Sequence, residues 1–296
     1  MKEIVVISGK GGTGKTSIVA SFASLAKKAV LADCDVDAAD LHLLLTPKIK
    51  DQRDFVSAWE AGIDSEKCSG CGECHDVCRF DAVIREENPD VSGGEIFRID
   101  PIKCEGCGVC DFICPEEAIT MRQVKGGDLF VSEMRYGPMV HAKLGIAAEN
   151  SGKLVALVRQ TAREIADKSS ADYILVDGPP GIGCPVISSV TGADIVMIVT
   201  EPTLSGMGDL KRVAQLARHF KIPATVCINK HDINPAITDE IISYCRENDV
   251  KLLGRIRYDN AFSKAQLKGA TMMEFVSNDS AKEIESVWQG LLKETG

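Results

Sequence analysis

Two stretches of the sequence combine residue types and spacings that do chemistry. The first holds eight of the chain's twelve cysteines in two runs, "KCSGCGECHDVCRFDAV" at 67–83 and "KCEGCGVCDFICPEEAI" at 103–119. Each run has the spacing C-x2-C-x2-C-x3-C, and the two match cysteine for cysteine, so the stretch is an internal repeat. Short loops between thiolates let a backbone wrap an iron–sulfur cubane, and the fourth cysteine of each run ligates the other cluster. That predicts two 4Fe-4S clusters. Cluster one takes Cys68, Cys71, Cys74 and Cys114, and cluster two takes Cys78, Cys104, Cys107 and Cys110. Gly70, Gly72, Gly106 and Gly108 suit loops that need unrestricted φ. Zinc is the competing occupant, because it too is held by four thiolates, but its sites pair two C-x2-C units across a longer gap.

The second stretch is "GKGGTGKT" at 9–16, which satisfies G-x4-G-K-[ST] between a strand pattern and a helix pattern. Backbone N–H groups of Gly11, Gly12, Thr13 and Gly14, continuing through Ser17, would converge on phosphate oxygens at a helix N-terminus. Lys15 would bridge the β- and γ-phosphates and the Thr16 hydroxyl would ligate Mg2+. The expected ligand is ATP with Mg2+. The segment "CINKHD" (227–232) leaves GTP open as an alternative, since N-K-x-D is a guanine-reading pattern.

The cysteine module resembles bacterial two-cluster ferredoxins. Pro115 follows Cys114 as in that family, whereas Arg79 follows Cys78. The loop "KGGTGKT" resembles the deviant Walker A motif of the MinD/ParA/nitrogenase-iron-protein family. "LADCDVDAADL" (31–41) is similar to that family's switch I, "ILVDGPPGIG" (174–183) to its Walker B and switch II, and "TEPTLSGMGDLKR" (200–212) to a segment at its dimer face. The resemblance implies a homodimer in which Lys10 crosses to the partner's nucleotide. It implies that Asp35 orients the attacking water, Asp33 and Asp177 support Mg2+, and Gly181 senses the γ-phosphate. It makes Asn229 the base contact. Cys184 sits where the nitrogenase iron protein has a cluster ligand, so it is a candidate metal or redox ligand. Host and insert together resemble MinD-superfamily ATPases with an inserted ferredoxin domain. In that group 130–154 is also typical, with Asn150 and Ser151 as helix caps and His141 and Lys153 facing either the nucleotide, a partner or solvent.

These groups need a scaffold, and the rest of the chain supplies one. Apolar β-branched runs at 3–8, 29–33, 173–178, 194–200, 224–229 and 251–257 alternate with helix-length segments. Continuous rather than alternating apolarity predicts a mostly parallel, doubly wound α/β sheet. A closing helix is expected over 280–294, with Ile284, Val287, Leu291 and Leu292 on one face. The strand pattern breaks between 60 and 124 and resumes at 127–133. The expected organisation is therefore a discontinuous ATPase domain (1–59 and 125–296) with an inserted α+β ferredoxin-like domain (60–124). Asp37 and Asp40 read as a solvated turn and a helix cap. Cys34, Cys227 and Cys245 read as small core hydrophobes.

Composition narrows the function. A net charge of −9 disfavours non-specific nucleic-acid binding. No apolar run approaches the ~20 residues that span a bilayer. The N-terminus enters a strand directly, without a signal peptide. A cytoplasmic address follows, where clustered cysteines are metal ligands rather than disulfides. The leading expectation is an ATP-hydrolysing iron–sulfur protein whose nucleotide-switched dimer is coupled to electron transfer with an unknown redox or client protein. The alternative is a maturation ATPase that inserts a metal or iron–sulfur cofactor. Against it stands the lack of a C-x2-C after Cys114 for a labile bridging cluster. A positioning ATPase like MinD lacks its basic amphipathic tail here, and a cobyrinic acid a,c-diamide synthase would need a glutaminase domain.

Overall fold

The computed structural model describes residues 1–87, 95–145 and 151–296. Its strands are β1 (Lys2–Ser8), β2 (Ala29–Asp33), β3 (Lys48–Ile63), β4 (Val83–Glu87), β5 (Glu95–Ile99), β6 (Ile119–Met134), β7 (Gly137–Leu144), β8 (Tyr173–Pro180), β9 (Ile195–Thr200), β10 (Ala224–Asn229) and β11 (Lys251–Ile256). The helices used below are α1 (Lys15–Leu25), α2 (Leu41–Leu45), α3 (Glu73–Asp76), α4 (Val109–Ile113), α5 (Ser151–Ser169), α6 (Cys184–Val190), α7 (Leu204–His219), α8 (Pro235–Glu247), α9 (Ala261–Leu267), α10 (Met272–Phe275) and α11 (Asp279–Glu294).

The described residues form two compact units. Unit 1 holds Met1–Arg53, Leu129–Lys143 and Ser151–Gly296, and unit 2 holds Asp54–Asp128 with Leu144 and Gly145. The chain leaves unit 1 within β3 and returns within β6. The boundaries therefore fall inside strands, rather than near 60 and 124 where the apolar pattern breaks. A strand whose two faces are both solvated has no apolar alternation to reveal it, and 48–54 is exposed throughout.

Unit 1 is built on a nine-stranded sheet of order β11-β10-β9-β1-β8-β2-β7-β6-β3. β1 pairs in parallel with β8 and β9, β10 with β9 and β11, and β2 with β7 and β8. The apolar runs of β1, β2, β8, β9 and β10 are buried along their length, because helices cover both faces of the sheet. α11 buries Ile284, Val287 and Leu291 as its pattern requires, and Leu292 packs at the edge of the same cluster. Trp288 joins them, with its ring 5.1 Å from that of Phe22. Asn278 caps this helix by accepting from the Ala281 N–H at 3.1 Å.

Unit 2 repeats one design twice. In each half an aspartate carbonyl accepts from the first cysteine's N–H, Asp64 from Cys68 at 3.0 Å and Asp100 from Cys104 at 3.1 Å. A left-handed glycine then starts a short helix, Gly72 before α3 and Gly108 before α4. The N–H four residues after the last cysteine donates to its sulfur, Ala82 to Cys78 at 3.4 Å and Ala118 to Cys114 at 3.3 Å. The spacer between the runs also carries strands. β4 and β5 pair antiparallel across it, with Val83 and Phe97 turned to the small core and Arg85–Glu95 and Arg98–Glu86 ion pairs outside.

Candidate functional site

The loop between β1 and α1 lines a cavity of about 640 Å³ in unit 1. Gly11, Gly12, Thr13, Gly14, Lys15, Thr16 and Ser17 all border it, together with Asp35 from the end of β2. Gly14 takes the left-handed conformation at φ 89°, and a Cβ there would lie 2.4 Å from Asn229 Nδ2. Both facts require glycine. Gly14→Ala therefore combines a left-handed penalty of about 1–2 kcal/mol with a clash, which predicts at least about tenfold weaker nucleotide binding by calorimetry.

Four charged groups meet behind this loop. The Lys15 ammonium hydrogen-bonds Asp177 Oδ1 and lies 3.9 Å from Asp35 Oδ2. Asp33 is fully buried beside them on β2, in register with Asp177 on β8. Asp33 accepts from the backbone N–H groups of Asp35 at 3.2 Å and Leu41 at 3.3 Å. Burial works against the Lys15 ammonium, but Asp177, Asp35 and Asp33 hold its pKa above the usual lysine value. Burial, reinforced by Asp177, pushes Asp33 well above the carboxylate range.

Three carboxyl groups thus share one cation, and among the described residues Asp177 Oδ2 is buried without a hydrogen-bond partner. An orphaned buried oxygen in an anionic cluster beside Thr16 is what a divalent cation would satisfy, so the donor set fits Mg2+. Burial raises Asp35 from 3.8 to about 6, against the opposing pull of Lys15. An acid whose folded pKa exceeds its unfolded one binds more protons when folded, so its ionisation costs stability as pH rises through that window. Asp35→Asn should remove the part of the pH dependence of unfolding free energy lying between 3.8 and about 6. Urea unfolding of variant and wild type across that range reads the difference.

Other expected residues lie elsewhere. Lys10 turns away from the cavity and pairs with Glu201 at 2.7 Å, with its ammonium 3.1 Å from Ser205 Oγ. Gly181, at φ 94°, donates its N–H to the Ser8 carbonyl at 2.9 Å and does not border the cavity. Asn229 borders the cavity but is buried and committed. Its Nδ2 donates to the Thr13 carbonyl at 2.7 Å and its Oδ1 accepts from the Lys230 N–H at 3.0 Å. It ties the end of β10 to the phosphate loop. Cys184 is exposed at the start of α6, while its neighbour Pro185 borders the cavity.

His141 is neither at the cavity nor on the surface. It is buried on β7 with Nε2 2.9 Å from Ser132 Oγ, and burial, aided by His42, lowers its pKa to about 4. Asn150 lies outside the described residues, and α5 begins at Ser151. Asp40 holds the N-cap position of α2 without a capping hydrogen bond. Cys34, Cys227 and Cys245 are buried.

Several cavity residues escape sequence reasoning. Lys230 reaches back to the Gly12 carbonyl at 3.0 Å and pairs with Glu201 at 3.0 Å. Arg257, Tyr258, Asp259 and Phe262 border the cavity from the segment after β11 and from α9. Their one signal is position, at the carboxyl end of a parallel strand where such sheets bind ligands.

In unit 2 the cysteines line two separate cavities. One is bordered by Cys68, Cys71, Cys74 and Cys114, and the other by Cys78, Cys104, Cys107 and Cys110. Each takes three thiols from one repeat and one from the other. Their walls are apolar, with Ile63, Phe97 and Ile119 around the first and Ala61, Ile99 and Met121 around the second. Burial, with the neighbouring Cys68 and Cys71 thiols, raises the Cys74 pKa to about 11. Among the described residues no three His, Cys, Asp or Glu side chains converge at single-ion spacing. A cubane holds its thiolates farther apart than one tetrahedral ion does, and two four-thiol cavities with apolar walls fit such clusters.

A glycine-rich loop between a central parallel strand and a helix, with buried aspartates at neighbouring strand ends, defines a P-loop nucleotide-binding protein. The chain belongs to the CobQ/CobB/MinD/ParA nucleotide binding domain family (CbiA), whose model matches residues 4–272. It is 35% identical over 235 residues to an uncharacterized protein of Methanocaldococcus jannaschii, covering 78% of this chain and 79% of that one. It is 27% identical over 157 residues to the cytosolic Fe-S cluster assembly factor NUBP1 homolog of Brugia malayi, covering 47% of this chain and 50% of that protein. Its fold is similar to that of the septum site-determining protein MinD complexed with Mg-ADP from Pyrococcus horikoshii. The TM-score is 0.59 at 17% identity, over 100% of this chain and 97% of that one. At that identity the likeness is one of fold. Among the described residues no helix is long and apolar enough to cross a membrane.

Proposed function

We propose that this protein is an ATP-hydrolysing iron–sulfur protein, in which a nucleotide-switched homodimer is coupled to two 4Fe-4S clusters that carry electrons. The observation that carries the reading is the partition of the eight cysteines into two cavities of four, in a chain that also has a nucleotide cavity. Cys68, Cys71, Cys74 and Cys114 would hold one cluster, and Cys78, Cys104, Cys107 and Cys110 the other. Bound there, each cluster supplies reversible one-electron storage. In unit 1 the loop N–H groups would hold phosphates, Thr16 and Asp177 would hold Mg2+ with Asp33 in support, and Asp35 would orient water. Lys15 would leave Asp177 to meet phosphate, and Asp177 would then hold Mg2+, whose charge would stand in for the one the lysine withdraws. Lys10, now on Glu201, is the group available to reach a second protomer. A ligand shifts such an equilibrium only by binding one state better than the other.

Anaerobic EPR of the reconstituted, reduced protein, with and without ATP and Mg2+, tests the coupling. A potential or lineshape that moves with nucleotide is the expected result, and clusters indifferent to nucleotide would overturn it. The similarity to the NUBP1 homolog favours a second reading, an assembly ATPase that passes clusters on. Loss of iron from this chain to an apo-ferredoxin acceptor on ATP addition would select that reading instead.

A further inference from the structure

The two cysteine cavities are related by the internal repeat, so their rims can be compared position by position. Each rim contains the residue before the third cysteine of one run and the second residue after the fourth cysteine of the other. At the cavity of Cys68, Cys71, Cys74 and Cys114 these are Glu73 and Glu116. At the cavity of Cys78, Cys104, Cys107 and Cys110 they are Val109 and Phe80. All four side chains are exposed, Val109 at 45% and Phe80 at 43%. A third equivalent pair, Ser69 and Glu105, runs the other way. That leaves two carboxylates at the first rim and one at the second. At the second, the arginine Arg79 also follows the fourth cysteine, where the first has Pro115.

We propose that Glu73 and Glu116 make the two metal-binding cavities electrically unequal, so that the cluster at the first is the harder to reduce. The inference rests on the iron–sulfur reading above. Reduction adds one negative charge to a cluster, and cluster potentials follow net charge, hydrogen bonding and exposure. The N–H···S bonds to Cys78 and Cys114 are alike, at 3.4 and 3.3 Å, so hydrogen bonding of the crossing cysteine does not separate the sites. Charge does. Carboxylates at the mouth of a cavity walled by Phe97 and Ile119 repel the added electron through a medium less polar than water. At the second mouth apolar side chains stand in the same places and add no such repulsion. An electron shared between the two clusters would then rest on the second, behind Val109 and Phe80, having left the first without any proton transfer.

EPR-monitored redox titration of the anaerobically reconstituted full chain tests this. Wild type should give two separated one-electron waves. Glu73→Gln combined with Glu116→Gln should move only the lower wave, and upward. Val109→Glu combined with Phe80→Glu should move only the upper wave, and downward, narrowing the gap from the other side. Added salt should narrow the wild-type gap, since these carboxylates face solvent and screening weakens them. Coincident waves in wild type would overturn the inference, as would a glutamine variant that shifts the upper wave or neither. Iron and sulfide analysis separates the two levels of the argument. Two clusters per chain with equal potentials refute the inequality alone, while a chain holding fewer than two refutes the iron–sulfur reading and the inequality with it.

Discussion

Lys15→Met is expected to abolish ATP turnover and to destabilise the apoprotein as well. The catalytic part follows from the loop. In the proposed reading Lys15 is the cation that meets phosphate beside the loop N–H groups, and removing one such charge-stabilising donor costs about 100-fold or more in rate. The stability part follows from where the ammonium rests without nucleotide. It is buried between Asp177 and Asp35, with Asp33 nearby, and two of these three carboxyl groups are themselves buried. Taking away the one cation leaves Asp177 as an uncompensated buried charge, a loss of about 3–5 kcal/mol. The pH dependence gives the mechanism a signature. Asp33 lies well above the usual carboxylate range and Asp35 at about 6, so both take up protons as pH falls. The loss should be largest at about pH 8 and shrink toward about pH 5, because the folded variant gains protons in that window. Urea unfolding at the two pH values, beside a steady-state ATPase assay, checks both parts. A variant as stable as wild type at both pH values would show that the aspartates need no cation there. Retained turnover would remove the loop from catalysis.

Much of this arrangement was legible because local chemistry and long-range structure agreed. The runs at 3–8, 29–33, 173–178, 194–200 and 224–229 are apolar on both faces, and a parallel sheet under two helix layers is the place for such strands. The glycine-rich loop and the cysteine spacings encode their own geometry, so the grouping of these motif residues around their cavities was legible, though the rest of the nucleotide cavity's lining was not. Legibility failed where a residue's neighbours come from far along the chain. β3 is exposed over its first residues, so no periodicity announced it. By its resemblance to the family Asn229 reads as a base contact, yet its amide is spent on the Thr13 carbonyl. His141 looked like a surface or ligand-facing group. The pairing of β7 with β2, the proximity of Ser132 and the stacked ring of Phe130 bury it. Arg257, Tyr258 and Phe262 belong to no motif and reach the cavity because β11 ends beside β10.

If unit 2 holds the two proposed clusters, removal of their iron should unfold it and leave unit 1 able to bind nucleotide. The core of unit 2 consists of Ala61, Cys74, Val83, Phe97 and Ile119, with Cys78, Cys104, Cys110 and Cys114 among the residues packed against it. The thiols are therefore part of the core itself. So small an apolar set cannot order Asp54–Asp128 unaided, because small domains that bury little surface depend on metals or other staples. Metal binding energy becomes folding energy in such a unit. The left-handed glycines sharpen the point. A Cβ on Gly106 would lie 2.2 Å from the Trp59 carbonyl, so the loop between Cys104 and Cys107 is pressed against β3. Chelation of iron should expose sites for limited proteolysis within Asp54–Asp128, while Met1–Arg53 and Ser151–Gly296 stay resistant and calorimetry still detects nucleotide. Cys74→Ser should lower iron content by about half, since one of two clusters loses a ligand. Cys245→Ser, at a buried position of α8, should leave iron content unchanged. A unit 2 that resists protease without iron would mean that the loops hold their shape through backbone contacts alone. The clusters would then be passengers on a preformed scaffold, released without structural cost, which is what a protein that hands clusters to a client requires and what a permanent electron carrier does not.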